Sequence, residues 1–213
     1  MMSNQIIEED KGKVALWIEQ YIETFLGANK SYIEGYVAKL REQNPNISNE
    51  KLAKKIRNRK SFKNGLVGAA TGVGGLITLP ITVPVDLIAS WKIQIGLAFA
   101  IAHVYGQTHN TADLKTDVYL ILAGNSAKEA LKTVGVVASK EITKKAIQKK
   151  VTVEVMKKIW KVVPQKIITK AGEKSLTSFT KMVPLLGAPI GFGFDYFSTR
   201  VVGSFAIKYY SGR

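Results

Sequence analysis

The chain of 213 residues reads as all-α, a multi-helix bundle with two apolar helical segments interrupted by glycine and proline. Apolar side chains recur at three- and four-residue spacing along most of its length, which is the period of an amphipathic helix. Alternating apolar and polar runs, the mark of a half-buried strand, are hard to find. Helix punctuation is plentiful instead: Gly27 and Asn29, Asn44-Pro45, Ser48, Gly106 and Gly124 each sit at the edge of a periodic run.

The first run, residues 13–26, sets Val14, Leu16, Trp17, Ile18, Tyr21, Ile22, Phe25 and Leu26 at the period of a helix and stops at Gly27 and Asn29. A second helix from about Tyr32 to Arg41 carries Ile33, Tyr36, Val37 and Leu40. Ser48 is a good N-cap for a third, which holds Leu52, Ala53 and Ile56 and turns its lysines and arginines outward.

From Gly65 to Val85 the chain runs twenty-one residues without a charge, with five glycines and two prolines. Twenty-one helical residues would reach about 31 Å, just enough to cross a bilayer. Pro80 and Pro84 oppose such a straight helix, because each disfavours the helical region for the residue before it. A helix from Gly65 to Leu79 reaches only about 22 Å. The expected shape is therefore a helix, an elbow at Pro80–Pro84, and a second helix from about Val85 to Tyr105. Small residues four apart, Gly68 and Gly72, admit another helix closely, in a bilayer or in a water-borne core.

A polar stretch, Gln107 to Asp113, precedes a helix from about Leu114 to Leu122 that ends at Gly124. Residues 126–181 form lysine-studded helices punctuated at Gly135, Pro164 and Gly172. Val151, Val153 and Val155 alternate as in a strand, yet Met156, Ile159, Trp160 and Val163 continue at helical spacing, so the segment reads as helix. At 100° per residue Lys157, Lys158 and Lys161 share one side with Glu154, and Val153, Met156, Trp160 and Val163 share the other. That pattern suits a helix lying in a bilayer interface, with Trp160 at the boundary, and equally a surface helix with a solvated lysine face. The last segment, from Met182, is apolar again and rich in aromatics. The whole is read as one domain, 1–213: N-terminal helices (1–49), a basic helix (50–63), an apolar hairpin (64–106), lysine-rich helices (126–181) and an apolar C-terminal segment (182–213).

The formal net charge is +15, distributed unevenly. Residues 50–63 hold seven basic residues against one acidic, and residues 126–181 hold fourteen against four. Lysines outnumber arginines 26 to 5. Hydrated point charges of that kind suit diffuse attraction to an anionic lipid surface better than base reading, which favours the arginine fork. No specific nucleic acid is expected. With no cysteine, disulfides, thiolate metal sites and cysteine nucleophiles are excluded. The acidic N-terminus is unlike a signal peptide, so a cytoplasmic setting is expected.

Catalytic motifs fail on inspection. Gly72-Val-Gly74-Gly75 lacks a third glycine at dinucleotide spacing, no phosphate loop occurs, and Gly203-Ser204-Phe205 is not a nucleophile elbow. His109, Asp113 and Asp117 fall four apart like metal ligands, but the better reading makes them surface polar residues. No catalytic residue, cofactor or metal is expected. Asp86, following Pro84, suits the N-terminus of a helix. A sharper expectation pairs Asp86 with Lys92 or Arg200, and Asp195 with the other, fastening the two apolar segments together.

The string Gly68-Ala-Ala-Thr-Gly-Val-Gly-Gly-Leu-Ile-Thr-Leu-Pro-Ile-Thr-Val-Pro-Val-Asp-Leu87 resembles the bacterial EcsC family, as does Ile101-Ala-His-Val-Tyr-Gly106. So does Val183-Pro-Leu-Leu-Gly-Ala-Pro-Ile-Gly191, followed by Asp195, Thr199 and Ala206. The resemblance covers roughly residues 50–210, and the residues that carry it include Gly72, Gly74, Gly75, Leu79, Pro80, Pro84, Asp86, Tyr105, Gly106, Pro184 and Gly187. It implies a bacterial, membrane-related setting, and an ABC transporter as a possible kind of partner, since the family is named for a gene beside one. It supplies no catalytic residues. Together these readings point to a non-enzymatic protein at the cytoplasmic face of the membrane, meeting anionic lipid through lysine-rich helices and lipid or a membrane protein through apolar segments. The alternative is a soluble helical module with a glycine-proline core and a basic face for an acidic partner.

Overall fold

A computed structural model describes residues 16–73, 85–108, 111–136, 142–163 and 187–212. The chain is all-α, and no strand occurs among the described residues. In order the helices are α1 (16–28), α2 (Lys30–Glu42), α3 (Asn49–Val73), α4 (Val85–Val104), α5 (Thr111–Ala123), α6 (Ala127–Thr133), α7 (Lys144–Gln148), α8 (153–163) and α9 (Gly187–Ser211). A short 3₁₀ turn, Gly124–Ser126, joins α5 to α6.

α4 is the axis of the bundle. Six successive residues, Leu97 to Ala102, are buried on every side, which is the signature of a helix enclosed by others rather than of a surface stripe. The apolar run from Trp91 to Val104 thus fills the core of this chain. Among the described residues no helix is long and apolar enough to cross a membrane. α5 is nearly as enclosed, with Leu114 to Ile121 all buried.

Around this pair α1 applies Ile18, Ile22 and Leu26, one residue per turn, and α2 applies Ile33, Val37 and Leu40. A ladder of rings on α1 (Trp17, Tyr21, Phe25) ends edge-on against Phe99 of α4, at 6.1 Å between centroids. α4 ends where Gly106 turns left-handed (φ 69°), and the Gln107 amide reaches back to the Ala102 carbonyl at 2.9 Å. The Arg41 guanidinium satisfies the Val104 carbonyl at 2.9 Å, tying α2 to that end.

Ser48 caps α3 as the sequence suggests, accepting from the Lys51 amide at 3.3 Å. The expected break between a basic helix and an apolar one is absent: α3 runs on through Asn64-Gly65 to Val73. Gly65 and Gly68 do not end the helix because both face α9, where the missing side chain is filled by a neighbour. α5 begins at Thr111, three residues before the expected start, and α8 is helical from Val153 on, so the valine repeat reads as helix except for Val151, which precedes it. The Pro80–Pro84 elbow, Pro164, Gly172 and the start of the last segment lie outside the described residues.

Candidate functional site

α3 and α9 run antiparallel: Arg57 meets Ser204, Asn64 meets Thr199, and Gly68 meets Gly191. At the last pair the backbones touch. A Cβ on either glycine would overlap the other's carbonyl oxygen, so the approach requires glycine on both helices. Gly65 similarly leaves room for the Phe192 ring, and Gly203 for Arg57 and Leu97. α4 runs alongside, with Ser90 against Asn64 and Gln94 against Ser198 and Thr199. The last turn of α3 and the first turns of α4 and α9 therefore gather at one pole, and it is from this pole that the uncharged segments of the chain depart.

Inside the seam lies a polar cluster. The Asn64 amide, fully buried, donates to Ser90 Oγ and to Thr199 Oγ1, both at 2.7 Å. Gln94 Nε2 reaches the same two hydroxyls at 3.2 and 3.4 Å. Hydrogen bonds from one amide to both neighbours fix the relative height of α3, α4 and α9 in a way apolar packing alone would not.

The outer face of the seam is apolar and open. Phe62 and Leu66 on α3 are 54% and 53% exposed, and Phe197 and Val201 on α9 are 64% and 61% exposed, values far above those of the core. Rings link the two helices without a gap: Phe62 to Phe192 (5.8 Å), Phe192 to Tyr196 (5.7 Å) and Tyr196 to Phe197 (5.3 Å). Arg59 and Lys63, three residues before Phe62 and Leu66, flank this strip on α3, and Arg200, whose guanidinium reaches Asn58 Oδ1 and Tyr196 Oη, flanks it on α9. Lys60 bends over the Tyr36 ring, and burial first, then the neighbouring Lys63, lowers its pKa. A groove of about 370 Å³ on α9 is lined by Phe197, Arg200, Val201, Ser204, Phe205 and Lys208.

A second polar centre sits at the other end of the bundle. Asp117 of α5 is 1% exposed, far from the surface position expected of it. Its carboxylate accepts from Tyr209 Oη (2.6 Å) and Tyr210 Oη (3.2 Å) and pairs with Lys144 Nζ (2.9 Å). Burial pushes its pKa up to about 6, outweighing the opposite pull of Lys144 and of the two tyrosine hydroxyls. Asp113 lies 3.7 Å from the same ammonium. On the next face, Lys115 pairs with Glu19 (2.9 Å) and Glu23 and sits 4.2 Å above the Trp160 ring. These residues lock α1, α5, α7, α8 and α9 together.

Trp160 is half-buried against α5. Its indole N–H donates to Thr116 Oγ1 at 2.9 Å, and Ile159 and Val163 bury the helix against the core. Lys157, Lys158 and Lys161 are exposed as expected, but Val153, placed on the apolar side by the helical wheel, is 61% exposed. Lys92 lies over the Trp17 and Tyr21 rings at 5.9 and 5.5 Å, and Arg200 reaches Asn58 Oδ1 at 3.0 Å and Tyr196 Oη at 3.2 Å. Asp195 is buried at the glycine crossing, beside Gly68. The side chain of Asp86 lies outside the described residues, as do Gly74, Gly75, Leu79, Pro80, Pro84, His109 and Pro184. Gly72 and Gly187 fall in the terminal turns of α3 and α9 at the pole, while Tyr105 and Gly106 close α4 at the opposite end. Among the described residues no group of three or more His, Asp or Glu could hold a metal.

Sequence reasoning misses Asn64 and Asp117. A trace of Asp117 is present: its neighbours one helical turn on, Leu120 and Ile121, and the one before it, Leu114, are all apolar. Lys144 carries no such trace among so many lysines.

The chain matches the EcsC protein family over residues 3–213, beyond both ends of the stretch that carries the resemblance. Comparison with curated proteins and with solved structures gives no match.

Proposed function

This chain belongs to the EcsC protein family, and on that footing we propose that it is a non-catalytic protein of the membrane surface that docks on anionic lipid through the outer face of the α3–α9 seam. The observation that carries the reading is the exposed, ring-linked strip of Phe62, Leu66, Phe197 and Val201 beside basic side chains of the same two helices. A soluble monomer seldom leaves so continuous an apolar strip bare. Aromatic groups flanked by cations match the acyl–headgroup boundary, where each nearby lysine or arginine contributes about 1 kcal/mol before screening.

Cosedimentation with lipid vesicles tests the reading. The purified protein is expected to pellet with phosphatidylglycerol-containing vesicles and not with phosphatidylcholine alone, and to be only partly released by high salt. Retention in the supernatant with both vesicle types sinks the proposal. Pelleting only with native membranes would replace lipid with a membrane-protein partner, such as a transporter. Stable recovery with an acidic soluble protein, and none with membranes, would instead favour a soluble interaction module.

A further inference from the structure

We propose that Arg57 and Arg200 form a clamp for the phosphate of an anionic phospholipid, with the acyl chains laid along Phe197 and Val201. This rests on the membrane-surface reading above and names the group recognised there. Two of the five arginines in a chain dominated by lysine come from helices far apart in sequence to the same side chain, the exposed Asn58. Asn58 Oδ1 accepts from Arg57 Nε (3.2 Å), Arg57 Nη2 (3.0 Å) and Arg200 Nη1 (3.0 Å). One neutral oxygen thus stands between two guanidinium groups. Neither guanidinium has a carboxylate partner among the described residues, and the acid of the adjoining groove, Glu50, is held by Lys54 at 2.6 Å.

The charges are uncomfortable as they stand. Burial disfavours the positive form of Arg57, and Arg200 beside it adds repulsion. An anion between the two would offset that repulsion and favour both positive forms. Guanidinium planes bind phosphate oxygens in pairs, which a lysine ammonium cannot reproduce. The surroundings fit an amphipathic anion rather than a bare one. Arg200 lines the α9 groove with Phe197, Val201 and Phe205, while Arg57 lines a neighbouring groove of about 320 Å³ that shares Ser204 and Lys208 with it. The Ser204 hydroxyl, already accepting from Arg57 Nη1 at 3.0 Å, lies between the charged and apolar parts.

The decisive variant is Arg57→Lys with Arg200→Lys, which leaves net charge unaltered. Its affinity for phosphatidylglycerol vesicles is expected to fall about tenfold, because point charges replace paired donors. Affinity equal to that of the parent overturns the clamp and leaves only diffuse attraction. In the unmodified protein, soluble short-chain phosphatidylglycerol is expected to protect Arg57 and Arg200, but not Arg41 of α2, which is held by Asn49 and the Val104 carbonyl, from phenylglyoxal. That measurement decides the matter if the double variant does not fold. Absence of protection overturns the proposal, and equal protection by inorganic phosphate overturns its assignment to lipid. Should vesicle binding fail while short-chain lipid still protects both arginines, the clamp stands and the surface-docking reading falls.

Discussion

Tyr209 donates its phenolic hydrogen to Asp117 at 2.6 Å, joining α9 to the middle of α5 across 92 residues of chain. Both groups are 1% exposed, so the hydroxyl and carboxylate satisfy each other inside the bundle. Lys144 completes the centre by drawing the short α7 inward. A buried acid of this kind is costly to install and more costly to orphan.

Asp117→Ala is expected to cost about 3–5 kcal/mol, since it leaves the Lys144 ammonium without its closest counter-charge. Tyr209→Phe should cost about 1–3 kcal/mol, the range for losing a hydrogen bond to a buried charged group. Tyr119→Phe supplies the contrast. The Tyr119 hydroxyl is buried without a hydrogen-bond partner among the described residues, so its removal should be neutral or mildly stabilising. Urea denaturation of the three variants distinguishes these outcomes.

The raised pKa of Asp117 fixes the sign of a pH effect. A carboxyl that titrates near 6 when folded and near 3.8 when unfolded holds its proton more tightly in the native state. Its contribution to stability is therefore full below pH 3.8 and is lost as pH rises through 6. Other carboxylates move stability as well, so the comparison is with Asp117→Asn. The difference between parent and variant should slope between these two values and flatten above them, as read from denaturation midpoints at stepped pH.

Two glycine-to-alanine changes should move in opposite directions. Gly68→Ala puts a methyl into the Gly191 carbonyl and should destabilise by about 1–3 kcal/mol or more, because backbone has to move. Gly27 of α1 has nothing within 4 Å of where its Cβ would be, and Gly27→Ala should gain about 0.5–1 kcal/mol from helix propensity. Thermal melts of both variants against the parent test the pair.

The exposed rings should matter for binding and not for folding. Phe62→Ser with Phe197→Ser is expected to alter stability by no more than about 1 kcal/mol in total, both residues being more than half in solvent. Affinity for phosphatidylglycerol vesicles should fall about tenfold or more, in line with burial of one or two aromatic side chains on docking. Unaltered vesicle affinity would separate the strip from the membrane.

Helical periodicity makes most of the fold legible in the amino-acid order. Ile18, Ile22 and Leu26, or Ile33, Val37 and Leu40, declare a buried face by spacing alone. Two things are not legible there. A glycine inside a helix and a glycine ending one look alike in sequence, and only their partners on α9, Phe192 and Gly191, show why Gly65 and Gly68 belong to the former kind. The fate of a polar residue likewise depends on helices distant in sequence: Trp160 suits an interface by its spacing, yet Thr116 and Lys115 of α5 lie against it. Arg57 and Arg200 illustrate the same limit, for their meeting needs the antiparallel register of α3 and α9.

That register has a consequence for synthesis. Arg57 and Ser204 are 147 positions apart, and α3 finds its longest companion only when α9 has been made. A ribosome adding residues one at a time would leave the glycine notch of α3 empty for several seconds, with Asn64, Gly65 and Gly68, which α9 covers in the finished fold, open to solvent. Nascent chains halted before α9 should accordingly be chaperone clients or protease targets, and those that include it should not.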